Sequence, residues 1–346
     1  MDQQPLVSVI IPCRNEHGFI ENCLASIVKQ DYPKDKLEVL VLDGMSDDGT
    51  RELVQAHANC HPFIKLLDNP RRITPCALNL GIKSSTGQII MVAGAHATYE
   101  KDYISKCASH LSSETVDGVG GLCKVRPQED RLVANSIACV LSSSFGAGNA
   151  YYRIGSKKKR YVDTLFGACY KKEVFDTVGL FDEDMVRTQD SEFNARLTAN
   201  GGRILLVPEL TLYYYARDSL LKLWKTNFQY GYFKALASKK IGRILALRQL
   251  VPPLFVGSLI ISLMLSLLYK PFLWLFVVVL GSYITTNLLF SLKFAIKKSA
   301  PYFFVLPLVF ATIHVSWGLG FLKGIWDFVI LRRYKRRKII DTPPAR

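Results

Sequence analysis

Two short apolar runs near the start of the chain, residues 7–12 and 37–42, each stop at a polar turn. The first gives way to Cys13-Arg14-Asn15-Glu16 and the second to Asp43-Gly44-Met45-Ser46-Asp47-Asp48-Gly49-Thr50. Runs of this kind predict buried parallel strands. Polar, glycine-bearing loops at the carboxyl edge of such strands are where an open α/β sheet builds a nucleotide pocket. Residues 17–30 predict a helix with Ile20, Leu24, Ile27 and Val28 on one face. The alternation continues with helices at 51–58, 75–83, 101–111 and 171–178 and strands at 63–67, 88–92 and 203–207. This order implies an α/β fold with a mostly parallel, doubly wound sheet whose strand-end loops gather on one side.

The pattern changes at Ser219. Residues 220–240 interleave Leu220, Leu223, Trp224, Phe228 and Phe233 with Lys222, Lys225, Lys234, Lys239 and Lys240. Such a basic, aromatic-rich amphipathic helix belongs at a lipid headgroup interface, and Asp218 or Ser219 serves as its cap. Three apolar stretches follow, 250–269, 272–292 and 301–322, each close to the ~20 residues that cross a hydrocarbon core. The first two carry no charge.

Met1 to Pro5 is polar and shows no signal peptide. The expected organisation is a cytoplasmic catalytic domain over residues 1–218, an interfacial helix region over 219–249, a multi-pass inner (plasma) membrane domain of two or three segments over 250–331, and a basic tail over 332–346. Pro307, Gly318, Gly320, Lys323, Gly324 and Asp327 would let the last apolar segment bend back as a re-entrant helix. A cytoplasmic tail then satisfies the positive-inside bias.

Charge supports this division. Of the 44 Lys and Arg in the 346 residues, 19 lie from Ser219 onward against only Asp327 and Asp341, a net of +17 that leaves −2 for residues 1–218. The overall +15 therefore describes a membrane-facing tail and excludes a nucleic-acid-binding globular part. All eight cysteines precede Ser219 without a Cys-x-x-Cys spacing, which fits buried thiols in a reducing compartment.

Three further segments carry candidate chemistry. Val92-Ala93-Gly94-Ala95-His96-Ala97 closes the fourth strand, and His96 reads equally as a ligand or as a structural histidine. Glu100 and Asp102 open the helix at 101–111 as capping acids. Val162 to Tyr170 forms a loop containing Gly167, and Thr188-Gln189-Asp190-Ser191-Glu192-Phe193-Asn194-Ala195-Arg196-Leu197 opens another helix. Glu192 and Arg196 stand at ion-pair spacing.

Together these segments resemble the inverting family 2 glycosyltransferases of the GT-A fold. In that family the first strand ends in Pro-x-x-Asn-Glu and the second in Asp-Asp-Gly-Ser-x-Asp-Gly-Thr. The likeness extends along nearly the whole chain and is nearest to membrane-anchored glucosyltransferases of succinoglycan and exopolysaccharide assembly. Four departures stand out. Gly44 replaces the second aspartate of the pair, Gly94 and His96 occupy the Asp-x-Asp slot, Gln189 replaces the glutamate of the Glu-Asp acceptor motif, and Gln229 alone survives from Gln-x-x-Arg-Trp.

The resemblance implies that Pro12, Arg14, Glu16, Asp43, Ser46 and Asp48 line a nucleotide pocket, with Asp43 accepting a hydrogen bond from uracil. It implies His96 as a ligand to a divalent ion, Mn2+ or Mg2+, and assigns Gly167, Gln189, Glu192 and Gln229 to the donor sugar and acceptor. Inverting transfer needs a base opposite the leaving nucleotide, and Asp190 takes that role. Restoring a carboxylate by Gly94→Asp is expected to tighten metal binding if the backbone accepts a side chain. The implied reaction moves a hexose, glucose from UDP-glucose, onto a polyprenyl-diphosphate-linked saccharide, with other glycan-assembly proteins as partners. Two alternatives stay open: a transferase with another sugar nucleotide or acceptor, and a catalytically weakened membrane-bound binding or scaffold subunit.

Overall fold

A computed structural model describes residues 4–244 and 246–333. These residues form two compact units, one from 4–124 and 151–215, the other from 125–150 and 216 onward. The chain opens with β1 (Val7–Cys13), α1 (His17–Val28), β2 (Leu37–Asp43), α2 (Thr50–Cys60), β3 (Ile64–Asp68), α3 (Thr74–Ser84) and β4 (Ile89–Val92). β1 pairs in parallel with both β2 and β4, and β2 with β3. The register sets Cys13 opposite Asp43 and Asp43 opposite Asp68, so three strand ends finish level at one edge. Val7, Val9 and Ile11 fill the core on one face of this sheet and Ile10, Leu40 and Leu42 the core on the other. Burial on both faces explains the unbroken apolar runs, each such side chain contributing about 1.5–3 kcal/mol.

The chain up to residue 215 adds what periodicity does not announce, with residues 125–150 belonging to the second unit. β5 (Ala97–Tyr99), α4 (Tyr103–Ser113) and β6 (Gly118–Arg126) follow, then α5 (Leu132–Leu141), α6 (Ser144–Ala147), α7 (Tyr151–Ile154), β7 (Arg160–Tyr161), β8 (Cys169–Lys171), α8 (Glu173–Val178), α9 (Gln189–Ala199) and β9 (Ile204–Tyr215). The strand order is β3-β2-β1-β4-β8-β6-β9-β5, with β7 also on β9. β8 runs antiparallel to β4 and β6, and β5 and β7 antiparallel to β9. β9 extends well past the predicted 203–207. Pro208, which donates no hydrogen bond, falls between the stretch that pairs with β7 and the stretch that pairs with β5.

The predicted caps of α4 do not form. Asp102 holds the N-cap position without a side-chain capping bond, and its carboxylate reaches Lys106 at 2.5 Å instead. Glu100 accepts a hydrogen bond from the Tyr213 hydroxyl at 2.6 Å.

A buried carboxylate ties β2 to its neighbours at the other end. Glu38 accepts from the Ser8 hydroxyl at 2.6 Å and from the Thr86 N–H at 3.0 Å, and Lys65 lies 3.3 Å away. Burial works to raise its pKa, but the Ser8, Thr86 and Lys65 bonds outweigh it and hold the carboxyl below its ordinary value. A depressed folded pKa adds stability that is complete above the unfolded value near about 4.3 and is lost as pH falls through the folded one. Glu38→Ala therefore lowers stability at pH 7 by about 1–3 kcal/mol, because the Ser8 and Thr86 donors lose their acceptor. Denaturant unfolding of both proteins at pH 7 and pH 3.5 checks this: the gap narrows on acidification, and an equal gap at both pH values refutes it.

In the second unit Ser219 caps α10 (Leu220–Ile241), its hydroxyl accepting from the Lys222 N–H at 3.3 Å. α11 (Val251–Ser266), α12 (Phe272–Lys297) and α13 (Tyr302–Gly324) follow, and α13 runs on without a break into a wide helical turn, Ile325–Ile330. Three helices, Leu247–Ser266, Phe272–Lys297 and Tyr302–Ile330, are long and apolar enough to cross a membrane. The expected re-entrant bend is absent from the described residues. Pro307 sits in the second turn of α13, where its carbonyl oxygen accepts from Asn287 Nδ2 at 3.1 Å, and the helix continues.

The three spans differ in surroundings. Only 11% of the most apolar stretch of α12 and 22% of that around α11 is buried in the protein, against 50% for α13. α13 is enclosed because α10 packs along it through glycine. A Cβ on Gly320 would lie 2.1 Å from the Phe228 carbonyl oxygen, and one on Gly231 would lie 2.2 Å from that of Trp317, so only hydrogen fits at either point. Lys323 pairs with Asp327 at 2.7 Å, and the Tyr232 hydroxyl donates to the same carboxylate at 3.1 Å. Lys234 departs from the predicted polar face: it is 3% exposed. The tail from Tyr334, with its expected cytoplasmic placement, lies outside the described residues.

Candidate active site

The two loops leaving β1 and β2 are stitched into one body. Asn15 takes a left-handed backbone, φ 55°, which asparagine tolerates. Its N–H donates to Ser46 Oγ at 2.8 Å and its side-chain amide to Asp47 at 2.7 Å. The Glu16 N–H donates to Thr50 Oγ1 at 2.9 Å and the His17 N–H to Asp48 Oδ2 at 3.2 Å. Burial works to raise the Asp48 pKa, but the bonds from Thr50 and His17 hold it below the ordinary value. Ser46 and Asp48 thus shape the loop around the strand ends.

Asp43 is fully buried at the end of β2. Its carboxylate accepts from the Ser46 N–H at 2.9 Å, the Ser46 hydroxyl at 2.5 Å and Arg51 Nη1 at 2.7 Å. Arg51 also reaches Asp68 at 2.8 Å. The Cys13 thiol also donates to Asp43 at 3.8 Å, so for this carboxylate to accept from a base as well, one of these contacts must be exchanged. Burial and the neighbouring Asp43 push the Cys13 thiol pKa up, which keeps that cysteine protonated and unreactive. Pro12, half-buried, is the penultimate residue of β1. At the position of the missing second aspartate, a Cβ on Gly44 would sit 3.1 Å from Arg14 Cβ, a tight contact that the Arg14 stem would have to relieve by a small shift.

Glu16 and His96 come together. Glu16 Oε2 lies 2.8 Å from His96 Nδ1, with Phe19 and Tyr214 edge-on to the imidazole at 5.9 Å each. A carboxylate on one ring nitrogen fixes the tautomer and leaves Nε2 as the available donor atom. That arrangement fits a single protein ligand to a divalent ion. No group of three or more His, Cys, Asp or Glu side chains able to hold an ion alone exists among the described residues. The Gly94→Asp expectation meets an obstacle, because a Cβ there would lie 2.7 Å from Phe166 Cζ. The substitution displaces Phe166 before a carboxylate can reach an ion.

On the antiparallel side, Asp190 is the second residue of α9 and half-buried. No hydrogen bond to its carboxylate occurs among the described residues. Burial, and after it the Asp190 charge, push the Tyr170 hydroxyl up. Tyr170 donates to Asn194 at 2.9 Å, and Asn194 donates to Thr164 at 3.3 Å, locking α9 to the loop that contains Gly167. Gly167 has φ 68° and a Cβ there would meet Leu212 at 2.7 Å, so a glycine is required by both backbone and space. Thr188, just before α9, holds a left-handed backbone at φ 61°, a strained state for a β-branched residue. Gln189 begins the helix.

Glu192 is not placed to serve substrate. It is 2% exposed, and both its oxygens are held by Arg196, at 2.6 and 2.9 Å. Arg196 also donates to the carbonyls of Val178 and Leu180, so the pair clamps α9 to the turn after α8. Gln229 is half-buried on α10 in the second unit. Arg51, Asn194 and the aromatic residues around His96 escaped the sequence reading. Arg51 looks there like any first-turn helix residue, and β9 was too short to deliver Tyr214.

A parallel sheet ending in fused polar loops, extended by antiparallel strands that bring in a carboxylate-headed helix, is the GT-A architecture of nucleotide-sugar transferases. Residues 8–179 match the Glycosyl transferase family 2 model. The chain carries that domain and is a family 2 glycosyltransferase. It is 29% identical over 327 residues to the dolichyl N-acetyl-alpha-D-glucosaminyl phosphate 3-beta-D-2,3-diacetamido-2,3-dideoxy-beta-D-glucuronosyltransferase of Methanococcus voltae, across 92% of this chain and 97% of that protein. It is 27% identical over 322 residues to the succinoglycan biosynthesis protein ExoA of Rhizobium meliloti, across 92% and 95%. Among solved structures, the mannosyltransferase PcManGT of Pyrobaculum calidifontis, in complex with GDP-Man and Mn2+, shares the fold. The TM-score is 0.61 at 22% identity, covering 94% of this chain and 88% of that one.

Proposed function

We propose that the chain is an inverting transferase that moves a hexose, glucose from UDP-glucose, onto a polyprenyl-diphosphate-linked saccharide at a membrane surface. The observation that carries this reading is the Glu16–His96 pair at the carboxyl edge, a carboxylate-steadied imidazole in the same unit as the Asp190 carboxylate at the start of α9. The Methanococcus relative, whose name gives it a dolichyl-phosphate-linked sugar, and the succinoglycan relative support a lipid-linked acceptor. The apolar helices support anchorage in a membrane, and the positive-inside charge bias supports the inner membrane with the first unit in the cytoplasm.

In this reading Asp43 and the loops fused to it orient the nucleotide, and Asp190 takes the proton from the acceptor hydroxyl as that oxygen attacks the anomeric carbon. His96, steadied by Glu16, would hold Mn2+ or Mg2+ through Nε2, and such an ion supplies charge neutralisation at a diphosphate. Pro12 and Arg14 border the nucleotide, while Gly167 and Gln189 serve the sugar and acceptor.

The test is nucleoside diphosphate release by detergent-solubilised protein given UDP-glucose or other sugar nucleotides, with and without lipid-linked acceptor, in manganese or EDTA. Acceptor-dependent release with a β-linked product is expected. No release with any donor, or an α-linked product, overturns the reading. His96→Ala should weaken UDP binding only in manganese. Equal affinity of both proteins at saturating manganese returns His96 to a structural role.

A further inference from the structure

One ring away from His96 lies a cation that neither motif contains. Arg153, on α7, holds its guanidinium carbon 5.6 Å from the ring centroids of both Tyr152 and Tyr214. Tyr214 is the ring that stands edge-on to His96, and it also meets Phe166 at 5.3 Å, the side chain filling the space beside Gly94. Burial pushes the Tyr152 hydroxyl up, and the Arg153 and Asp190 charges act on it in opposite directions. A row of rings therefore joins the proposed ion ligand to a permanent positive charge.

Two features of the guanidinium decide what this charge is for. The two rings beside it favour a cation, and its N–H groups form the fork that matches a phosphate. A permanent cation one ring away from the proposed ion ligand is also suited to a diphosphate, since transfer from a sugar nucleotide separates the sugar from a multiply charged nucleoside diphosphate. We propose that Arg153 binds a phosphate of the substrate diphosphate, held in orientation by Tyr152 and Tyr214. The assignment rests on the transferase reading above. The shared chemistry is a diphosphate, whether carried by the nucleotide or by the lipid acceptor.

The experiment uses the full-length protein in detergent. Wild type is first shown to release nucleoside diphosphate, and wild-type inactivity on every donor would be a failure of the transferase reading rather than of this one. Arg153→Gln is then compared for UDP Kd by calorimetry in manganese and for the KM of the lipid-linked acceptor. A nucleotide-side contact raises the UDP Kd by about ten- to hundredfold, the range for a lost charge-assisted hydrogen bond, and leaves acceptor KM near wild type. An acceptor-side contact does the reverse. Arg153→Lys should recover only part of either loss, because an ammonium cannot reproduce the fork. Unchanged Kd and KM with a lowered melting temperature would make Arg153 a packing residue and overturn the assignment. If Arg153→Gln does not fold, wild-type values in Arg153→Lys overturn it equally.

Discussion

Asp190→Asn lowers turnover by about two to four orders of magnitude, the range for loss of a general base, while UDP affinity stays close to wild type. The change corresponds to about 2.7–5.4 kcal/mol of barrier. It is expected to be clean because the Asp190 side chain makes no hydrogen bond among the described residues, unlike its neighbours on α9. Glu192 is locked to Arg196 and Asn194 to Tyr170 and Thr164, so the helix keeps its position when residue 190 changes. Initial rates at saturating donor and acceptor, paired with calorimetric Kd values, check this. A variant that keeps more than about a tenth of the wild-type rate removes Asp190 from the mechanism.

The second large effect is at Asp43. Asp43→Ala strips the acceptor from the Ser46 N–H and hydroxyl and from Arg51, a fully buried carboxylate with a partly exposed partner. Removing one side of such a pair costs about 3 kcal/mol of stability, the low end of the range because Arg51 reaches solvent. The loop from Gly44 to Thr50 then loses its anchor, and UDP affinity falls both with manganese and with EDTA. This separates Asp43 from His96, whose loss is felt only when the ion is present. Asp43→Asn distinguishes orientation from charge: it keeps an acceptor for Ser46 and should recover part of the stability. Wild-type UDP affinity in Asp43→Ala would detach the second strand end from the nucleotide.

The parallel half of the sheet was legible because strands buried on both faces leave an unmistakable signature, and the loops between them carry their motifs in contiguous residues. The position of Asp190 at a helix start was legible for the same reason. The pairing of Glu16 with His96 was not, since eighty positions separate them and only the β1–β4 register brings them together. β9 was truncated in the reading because Pro208 and Glu209 interrupt its apolar pattern, and with it went Tyr214 and the setting of Arg153. Glu192 was assigned to substrate by its motif position, although its spacing to Arg196 already contained the competing explanation. Around α13, composition showed length and apolarity but not neighbours, so glycines read as points of bending are instead points of contact.

Those contacts have a consequence for how the protein is made. α10 leaves the ribosome well before α13, yet its flank at Phe228 and Gly231 is matched by Gly320 and Trp317 on α13. Until the last apolar helix is synthesised and threaded into place, α10 has no permanent neighbour along that flank. Closure is therefore a late and all-or-none event, committed by one glycine-lined seam. A chain interrupted after Lys297 would contain every candidate catalytic residue and still display an unfinished surface to the membrane quality-control proteases. Substituting Gly320 by a larger residue should reveal itself in the cell as a shortened lifetime of the polypeptide before any defect in sugar transfer can be measured.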